Sequence, residues 1–262
     1  MARYLLQLDN DNNGLDLEYV MIKELLKKNK YLHDYKAITT SSISDVAAKE
    51  DIPIGNIPFV TKWLQEMYSI ETENPIEIPK YLRTEEFLKR NYKITTWDKI
   101  PKSGTFFLKD VSELKSFGEI INAEYTDIDN LFNYVPQHKF DCSLVLNKNH
   151  LFQVSSIFNI LSEYRVYVIS GKIETISNYN GDPTILPDIT LIKKAVDLIN
   201  YNEKWLKSYT LDIMVGKEGT AIIEVHNFTS VGLYNTLWGD NLLYAYRQGI
   251  DYLVNDNRKI EF

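Results

Sequence analysis

The sequence Asp212-Ile-Met-Val-Gly-Lys-Glu-Gly-Thr-Ala-Ile-Ile-Glu-Val-His-Asn227 contains two runs of mainly apolar, β-branched residues, at 213–215 and 221–225, separated by Gly-Lys-Glu-Gly. Such residues favour strands, and closely spaced glycines are typical of a tight turn. The pattern predicts an antiparallel hairpin. Acidic side chains lie on both of its strands, where apolar packing would be more favourable.

The pairing of the two strands depends on the turn. If Gly216 pairs with Thr220 across a three-residue loop, with Gly219 in the left-handed conformation, Asp212 lies directly opposite Glu224. Opposed residues share a face and have Cβ atoms about 5 Å apart. Two facing carboxylates repel each other unless a cation lies between them.

Strand alternation places His226, two residues after Glu224, on the same face as Asp212. The three side chains therefore indicate a metal site. A solvated face at a sheet edge explains the same acidic residues, and a four-residue loop would send Asp212 and Glu224 to opposite faces. The residues of the hairpin leave these alternatives open.

Five further segments surround the hairpin in a defined order. They are Ile52-Pro-Ile-Gly55, Thr105-Phe-Phe-Leu-Lys109, Lys115-Ser-Phe-Gly118, Glu163-Tyr-Arg165 and Gly232-Leu-Tyr234. Together with the hairpin, they resemble the ATP-grasp enzymes, and most closely a small ATP-grasp clade common in phages and bacteria. The resemblance spans most of the chain, and its specificity lies in the ordered set.

This resemblance implies an α+β fold in which two subdomains clamp a nucleotide behind a small N-terminal α/β lobe. We expect a pre-ATP-grasp lobe at 1–95, an N-subdomain at 96–157, and a C-subdomain carrying the metal-binding hairpin at 158–262. The segment joining the two subdomains would contact the adenine edge through its backbone.

The resemblance also implies the residues of the site. Lys109 and Arg165 are the expected catalytic residues, the first directed at the phosphates and the second at a phosphate or the acyl intermediate. The expected nucleotide-binding residues are Lys109, Lys115, Gln153, Val154, Ser155, Ile157, Glu163 and Asp212. The expected magnesium ligands are Asp212, Glu224 and His226, although imidazole is softer than magnesium prefers and many members have asparagine at that place.

The composition is compatible with this interpretation. A formal net charge of −7 over 262 residues argues against a protein whose whole surface binds nucleic acid. A single cysteine, Cys142, allows no internal disulfide, so a reducing compartment is expected. No apolar run approaches the roughly 20 residues that cross a bilayer. We expect a cytoplasmic protein, in the host cytoplasm if it is phage-encoded, without a membrane partner.

Several elements follow from periodicity and capping signals. We expect strands at 4–8, 36–40 and 143–146, and helices at 15–28, 42–48, 57–68, 84–89, 188–199 and 239–254. The loop at 9–14 matches the start of a calcium-binding loop, but Val20 stands where the bidentate glutamate is required. A turn that caps the next helix explains this loop better.

The expected function is an ATP- and magnesium-dependent carboxylate–amine or carboxylate–thiol ligase. Its substrates would be small molecules or peptides, the activated acid being an amino acid or peptide. Phosphoryl transfer to the carboxylate gives an acylphosphate, from which the amine displaces phosphate. The alternative is a catalytically silent ATP-grasp fold that binds nucleotide or acts as an interaction module. The sequence contains no Walker loop and no G-x-G-x-x-G motif that would favour another nucleotide-binding fold.

Overall fold

The computed structural model describes residues 2–8, 17–30, 32–70, 78–111, 118–123, 149–234 and 239–255. Within these ranges the chain forms three sheets. Helices and mainly antiparallel strands together confirm the expected α+β class. No helix of the described part has the length and apolar character needed to span a bilayer. Lys115, Cys142, the loop at 9–14 and the strand expected at 143–146 lie outside the described residues.

The first sheet is parallel, with the strand order β2-β1-β3. Its strands are β1 (Ala2–Gln7), β2 (His33–Ile38) and β3 (Ile52–Ile54). Tyr4, Leu5 and Leu6 are consecutive and fully buried, which is typical of a parallel strand covered on both faces. The helices of this lobe are α1 (Leu17–Lys28), α2 (Ile43–Val46) and α3 (Ile57–Tyr68).

Helix α3 has the predicted bounds, because both of its ends carry local signals. The Asn56 side chain accepts a hydrogen bond from the backbone N–H of Phe59, and Ser69 ends the helix in a left-handed conformation. The helix expected at 42–48 is only a 3₁₀ turn (Thr40–Ser42) followed by the single turn of α2. Strand β3 was not predicted, since three residues are too few to show a period.

The second sheet is antiparallel, with the order β4-β7-β5-β6. Its strands are β4 (Tyr92–Thr96), β5 (Gly104–Asp110), β6 (Gly118–Ala123) and β7 (Leu151–Ser155). The one-turn helix α4 (Glu85–Leu88) precedes β4 and buries Phe87 and Leu88. Lys109 lies beside Gln153 in the register of β5 and β7.

The third sheet is also antiparallel, with the order β11-β10-β8-β9. Its strands are β8 (Ile160–Ile169), β9 (Lys172–Gly181), β10 (Tyr209–Gly216) and β11 (Gly219–Asn227). Helix α5 (Ile189–Asn202) begins where the Asp188 carboxylate accepts hydrogen bonds from the N–H groups of Thr190 and Leu191. Its apolar face shares a core with alternate residues of β8 and β10, leaving the other face of the sheet for polar side chains.

The last helix, α6 (Asn241–Asn255), packs into the core of the first sheet. The Tyr4 hydroxyl donates to the Leu243 carbonyl at 3.1 Å, joining the two ends of the described chain. A Cβ added at Gly249 would lie 2.0 Å from the Phe228 carbonyl oxygen, so this close approach requires glycine. The helix therefore fixes the start of the segment between β11 and α6, which runs over the third sheet.

Candidate functional site

The turn of the hairpin differs from the prediction, although the predicted pairing of the acids is correct. Gly216 pairs with Gly219 rather than with Thr220, so only Lys217 and Glu218 lie between them. Gly219 has a φ of +104°, a conformation that glycine adopts readily. The register then shifts by one residue through a bulge between Ile222 and Glu224. Because of this bulge, Asp212 is the direct partner of Glu224.

A row of charged residues crosses three strands of the third sheet. Arg165 on β8 pairs with Asp212 on β10, which pairs with Glu224 on β11. The guanidinium of Arg165 donates from Nε and Nη2 to the two carboxylate oxygens of Asp212, both at 2.7 Å. Burial alone would lower the pKa of Arg165, but the hydrogen bonds and charge of Asp212 outweigh burial and raise it above its usual value. This bidentate pair is fully charged at neutral pH.

Lys109 connects the second sheet to this row. Its ammonium lies 2.8 Å from a Glu224 carboxylate oxygen, and the two side chains are 15% and 10% exposed. Lys109 and Glu224 come from different sheets, so this ion pair closes one side of the space between them. The four charges of Lys109, Glu224, Asp212 and Arg165 alternate in sign and sum to zero.

A cavity of about 310 Å³ lies beside this row, between the second and third sheets. Its volume and largely apolar wall are typical of a small-molecule site. Five of the expected nucleotide-binding residues line it: Lys109, Gln153, Ser155, Ile157 and Glu163. Val154 does not, because strand alternation turns its side chain away from the face of Gln153 and Ser155. Asp212 lies in the charged row and not in the cavity wall.

Other residues of the wall were not predicted from the sequence. They are Arg90, Phe107, Ile120, Ser156, Phe158, Ile160, Met214 and Ile223. Alternation from Lys109 would have indicated Phe107, and alternation from Asp212 would have indicated Met214. Ile223 lies at the bulge, which has no sequence signal of its own. Arg90 precedes β4, and no motif identified it.

An aromatic pair lies beside Arg165, on the side away from Glu224. The rings of Tyr179 and Tyr234 stack with centroids 4.9 Å apart, and the Arg165 guanidinium lies 4.9 Å from the centre of the Tyr234 ring. The Tyr179 hydroxyl donates to Glu163 at 2.8 Å. Burial, followed by the charges of Asp212 and Glu163, raises the pKa of Tyr179, so it remains a neutral donor.

The segment Gly232-Leu-Tyr234 is held against the third sheet by its backbone. The Gly232 carbonyl accepts from the Tyr167 hydroxyl at 2.7 Å, and the same hydroxyl accepts from the Tyr234 N–H. The Ser177 hydroxyl donates to the Tyr234 carbonyl at 2.7 Å. The aromatic pair is therefore positioned by hydrogen bonds and has a partly exposed ring, Tyr234, at its outer side.

The expected metal ligands do not form a group of three within the described residues. His226 is engaged by the Asn227 carbonyl oxygen, 2.6 Å from its Nδ1. The two opposed carboxylates nevertheless fit magnesium, which proteins commonly hold through one or two carboxylates while phosphates and water supply the remaining oxygens. In the ligand-free protein, Arg165 and Lys109 provide the positive charge that these carboxylates require.

Comparison with known proteins agrees with this geometry. Residues 87–240 match a family model described as an ATP-grasp domain, the second family of its clade. No curated protein matches the chain. Among solved structures, the D-cycloserine synthetase DcsG is similar with a TM-score of 0.54 and 11% identity, over 97% of this chain and 100% of that one.

Two other solved structures have similar values. D-alanyl-alanine synthetase A from Vibrio cholerae O1 biovar eltor has a TM-score of 0.52 and 9% identity, over 97% of this chain and 98% of that one. The macrocyclase MdnC from Microcystis aeruginosa MRC, solved with the precursor peptide MdnA, has a TM-score of 0.50 and 11% identity, over 97% of this chain and 99% of that one. At these identities the likeness concerns the fold.

Proposed function

Since this chain belongs to the ATP-grasp domain family, we propose that it is an ATP- and magnesium-dependent ligase that joins a carboxylate to an amine or a thiol. The observation that carries the proposal is the row Arg165, Asp212 and Glu224, completed by Lys109 at the mouth of the cavity. Phosphoryl transfer to a carboxylate brings two anions together, and this row contains the cations and carboxylates that such a step needs.

In this proposal the cavity holds the adenine ring and the charged row holds the triphosphate. The backbone at 153–157 flanks the base, and Glu163 lies where it can accept hydrogen bonds from the ribose, like those it accepts from Tyr179 and Asn180. Lys109 is at the boundary between the apolar wall and the charged row. Its ammonium would move from Glu224 to a phosphate, because phosphate is the more highly charged partner.

Magnesium would be held by Asp212 and Glu224, with His226 beside them, and would neutralise charge on the β- and γ-phosphates. Arg165 would then donate to the transferred phosphoryl group or to the acylphosphate. Its Nη1 also donates to the Gly232 carbonyl at 3.3 Å. This contact couples the guanidinium to the segment that shapes the acceptor side of the site. The products would be ADP, phosphate and an amide or thioester.

The substrates would be an amino acid or peptide acid and a small amine or thiol. Similar folds in a D-cycloserine synthetase, a D-alanyl-alanine synthetase and a macrocyclase bound with a precursor peptide support this class. The exposed side of the Tyr179–Tyr234 stack is a suitable contact for such a substrate. We retain the lobe boundaries at 95/96 and 157/158 as part of the proposal.

The test is release of ADP and phosphate from ATP and magnesium in the presence of a panel of amino acids and short peptides paired with amines and thiols. Mass spectrometry should detect a product joined with loss of water in at least one reaction. Stabilisation by magnesium and ATP without ADP formation in any reaction would instead identify a silent nucleotide-binding module. Absence of nucleotide binding would contradict both.

A further inference from the structure

Arg90 is a buried cation in the wall of the cavity. It lies between helix α4 and strand β4 and is only 9% exposed. Its Nη1 donates to the carbonyl oxygens of Leu88, at 3.0 Å, and Ile222, at 2.9 Å. The guanidinium also lies 5.8 Å from the centre of the Tyr92 ring. These contacts fix the plane of the side chain on two backbone segments.

No carboxylate of the described residues forms an ion pair with Arg90. Burial, partly offset by Tyr92, lowers the pKa of Arg90 to about 10, so it is still a cation at neutral pH. A desolvated cation without an anion is unfavourable unless it has another role. Nε and Nη2 donate no hydrogen bond to the described residues, and neither is a sealed unsatisfied atom. Both can therefore donate to a ligand in the cavity.

The position of Arg90 along β11 indicates which part of a nucleotide it would contact. Ile222, whose carbonyl holds Arg90, precedes by two residues Glu224, which holds Lys109. Two residues of strand cover roughly 6 Å when one of them is bulged. Arg90 therefore lies deeper than Lys109, away from the charged row.

The second sheet gives the same placement. Asn91 follows Arg90, and its carbonyl accepts from the Ser156 N–H at 3.1 Å. Asn91 also donates its own N–H to the Ser156 hydroxyl at 3.1 Å. Arg90 is thus adjacent to the segment at 155–157 that leads from the second sheet to the third. That segment borders the apolar part of the cavity, formed also by Met214 and Ile223.

We propose that Arg90 recognises the nucleobase, its Nε and Nη2 donating to ring acceptors of a purine at the closed end of the cavity. A guanidinium has donors and no acceptor, so it selects ring edges that offer lone pairs. Adenine presents such nitrogens in its ring. This inference rests on the proposed function only in that the cavity binds ATP, and it assigns a residue for the base rather than for the phosphates.

The test compares the binding of ATP, ADP and adenosine by wild type, Arg90→Met and Arg90→Lys, using competition with a fluorescent ATP analogue. Because adenosine lacks phosphates, a base contact must weaken all three ligands by the same factor. Loss of a hydrogen bond to a charged donor predicts a decrease of about 10- to 100-fold for Arg90→Met. Arg90→Lys keeps the charge without the fork and should lose affinity too, by a smaller factor.

Arg83→Met is the matched control. Arg83 also donates to a backbone carbonyl, that of Ile78, and also lies over the Tyr92 ring, at 5.4 Å, but it does not line the cavity. It should leave all three affinities unchanged. Thermal unfolding of each variant reports any structural effect, and Arg90→Lys decides the matter if Arg90→Met does not fold.

Weakened ATP with unchanged adenosine would overturn the proposal in favour of a phosphate contact. Unchanged affinities for all three ligands in a folded Arg90 variant would show that the residue only joins α4 to β11. Both results require that wild type binds ATP. A wild-type protein that binds none of the ligands would instead refute the proposed function, and this inference with it.

Discussion

Replacing Glu224 with glutamine tests the central ion pair of the proposed site. At 2.8 Å, the charges of Lys109 and Glu224 attract by about 6 kcal/mol at an effective dielectric constant of 20. The desolvation of both groups offsets much of this attraction. Glutamine still offers an oxygen acceptor to Lys109. We therefore expect Glu224→Gln to lower the free energy of unfolding by only about 1–3 kcal/mol, and the protein to remain folded.

The effect on ligands should be larger and should depend on magnesium. Without magnesium, Glu224→Gln should bind ATP at least as tightly as wild type, because Lys109 no longer has a competing carboxylate. With magnesium, the variant should gain little further affinity, since one of two carboxylate ligands is lost. Its turnover should fall by at least about 100-fold. The assay is ATP binding by calorimetry, with magnesium or with a chelator, together with ADP release.

Glu218→Gln is the matched control, because Glu218 is an exposed residue in the turn of the same hairpin. It makes the same chemical change without touching the charged row and should behave as wild type. If Glu224→Gln retained wild-type turnover and the wild-type gain in affinity from magnesium, the assignment of Glu224 as a metal ligand would be refuted.

Three further predictions concern Arg165, the position of α6 and the pH dependence of stability. Arg165→Lys should lower ADP release at least about 10-fold, because lysine cannot donate to both oxygens of Asp212; Arg247→Lys, at an exposed arginine of α6, should not. Gly249→Ala should lower the midpoint of thermal unfolding by several degrees because of the 2.0 Å approach to the Phe228 carbonyl oxygen, whereas Gly239→Ala, where nothing lies within 4 Å, should have little effect. Burial raises the pKa of Tyr4 to about 12, so its stabilising contribution is complete below pH 10 and is lost as pH rises through 12; urea unfolding at pH 9 and pH 11 should show that Tyr4→Phe removes about 1 kcal/mol of the stability lost between them.

The hairpin shows how far sequence reasoning reached. The facing of Asp212 and Glu224 was predicted correctly, but from a turn that the protein does not contain. The actual turn is one residue shorter, and the bulge near Ile223 compensates for it. A turn and a bulge each shift the register by one residue, so two errors of opposite sign cancel. Sequence signals for turns are strong, whereas a bulge depends on packing against neighbouring strands.

The cavity was predicted only where local periodicity was enough. Lys109, Gln153 and Ser155 follow from strand alternation once one of them is placed. Arg90 could not be found in this way, because its neighbours Ile222 and Ser156 are distant in sequence and come together only when the second and third sheets meet. Charged residues such as Arg90 are normally exposed, so its burial is a tertiary property. The assignment of His226 as a metal ligand stays a prediction.

The charged row has a consequence for the order in which ligands bind. In the free protein, Asp212 and Glu224 are each neutralised by a cation of the chain, and Lys109 bridges two sheets to do so. Magnesium alone would have to displace Lys109 against charge repulsion, and ATP alone would bring its phosphates towards two carboxylates. Arriving together, each supplies the partner that the other displaces: the phosphates take the cations and the magnesium takes the carboxylates. The exchange preserves charge balance at every group, which favours entry of the preformed magnesium–ATP complex over either component by itself.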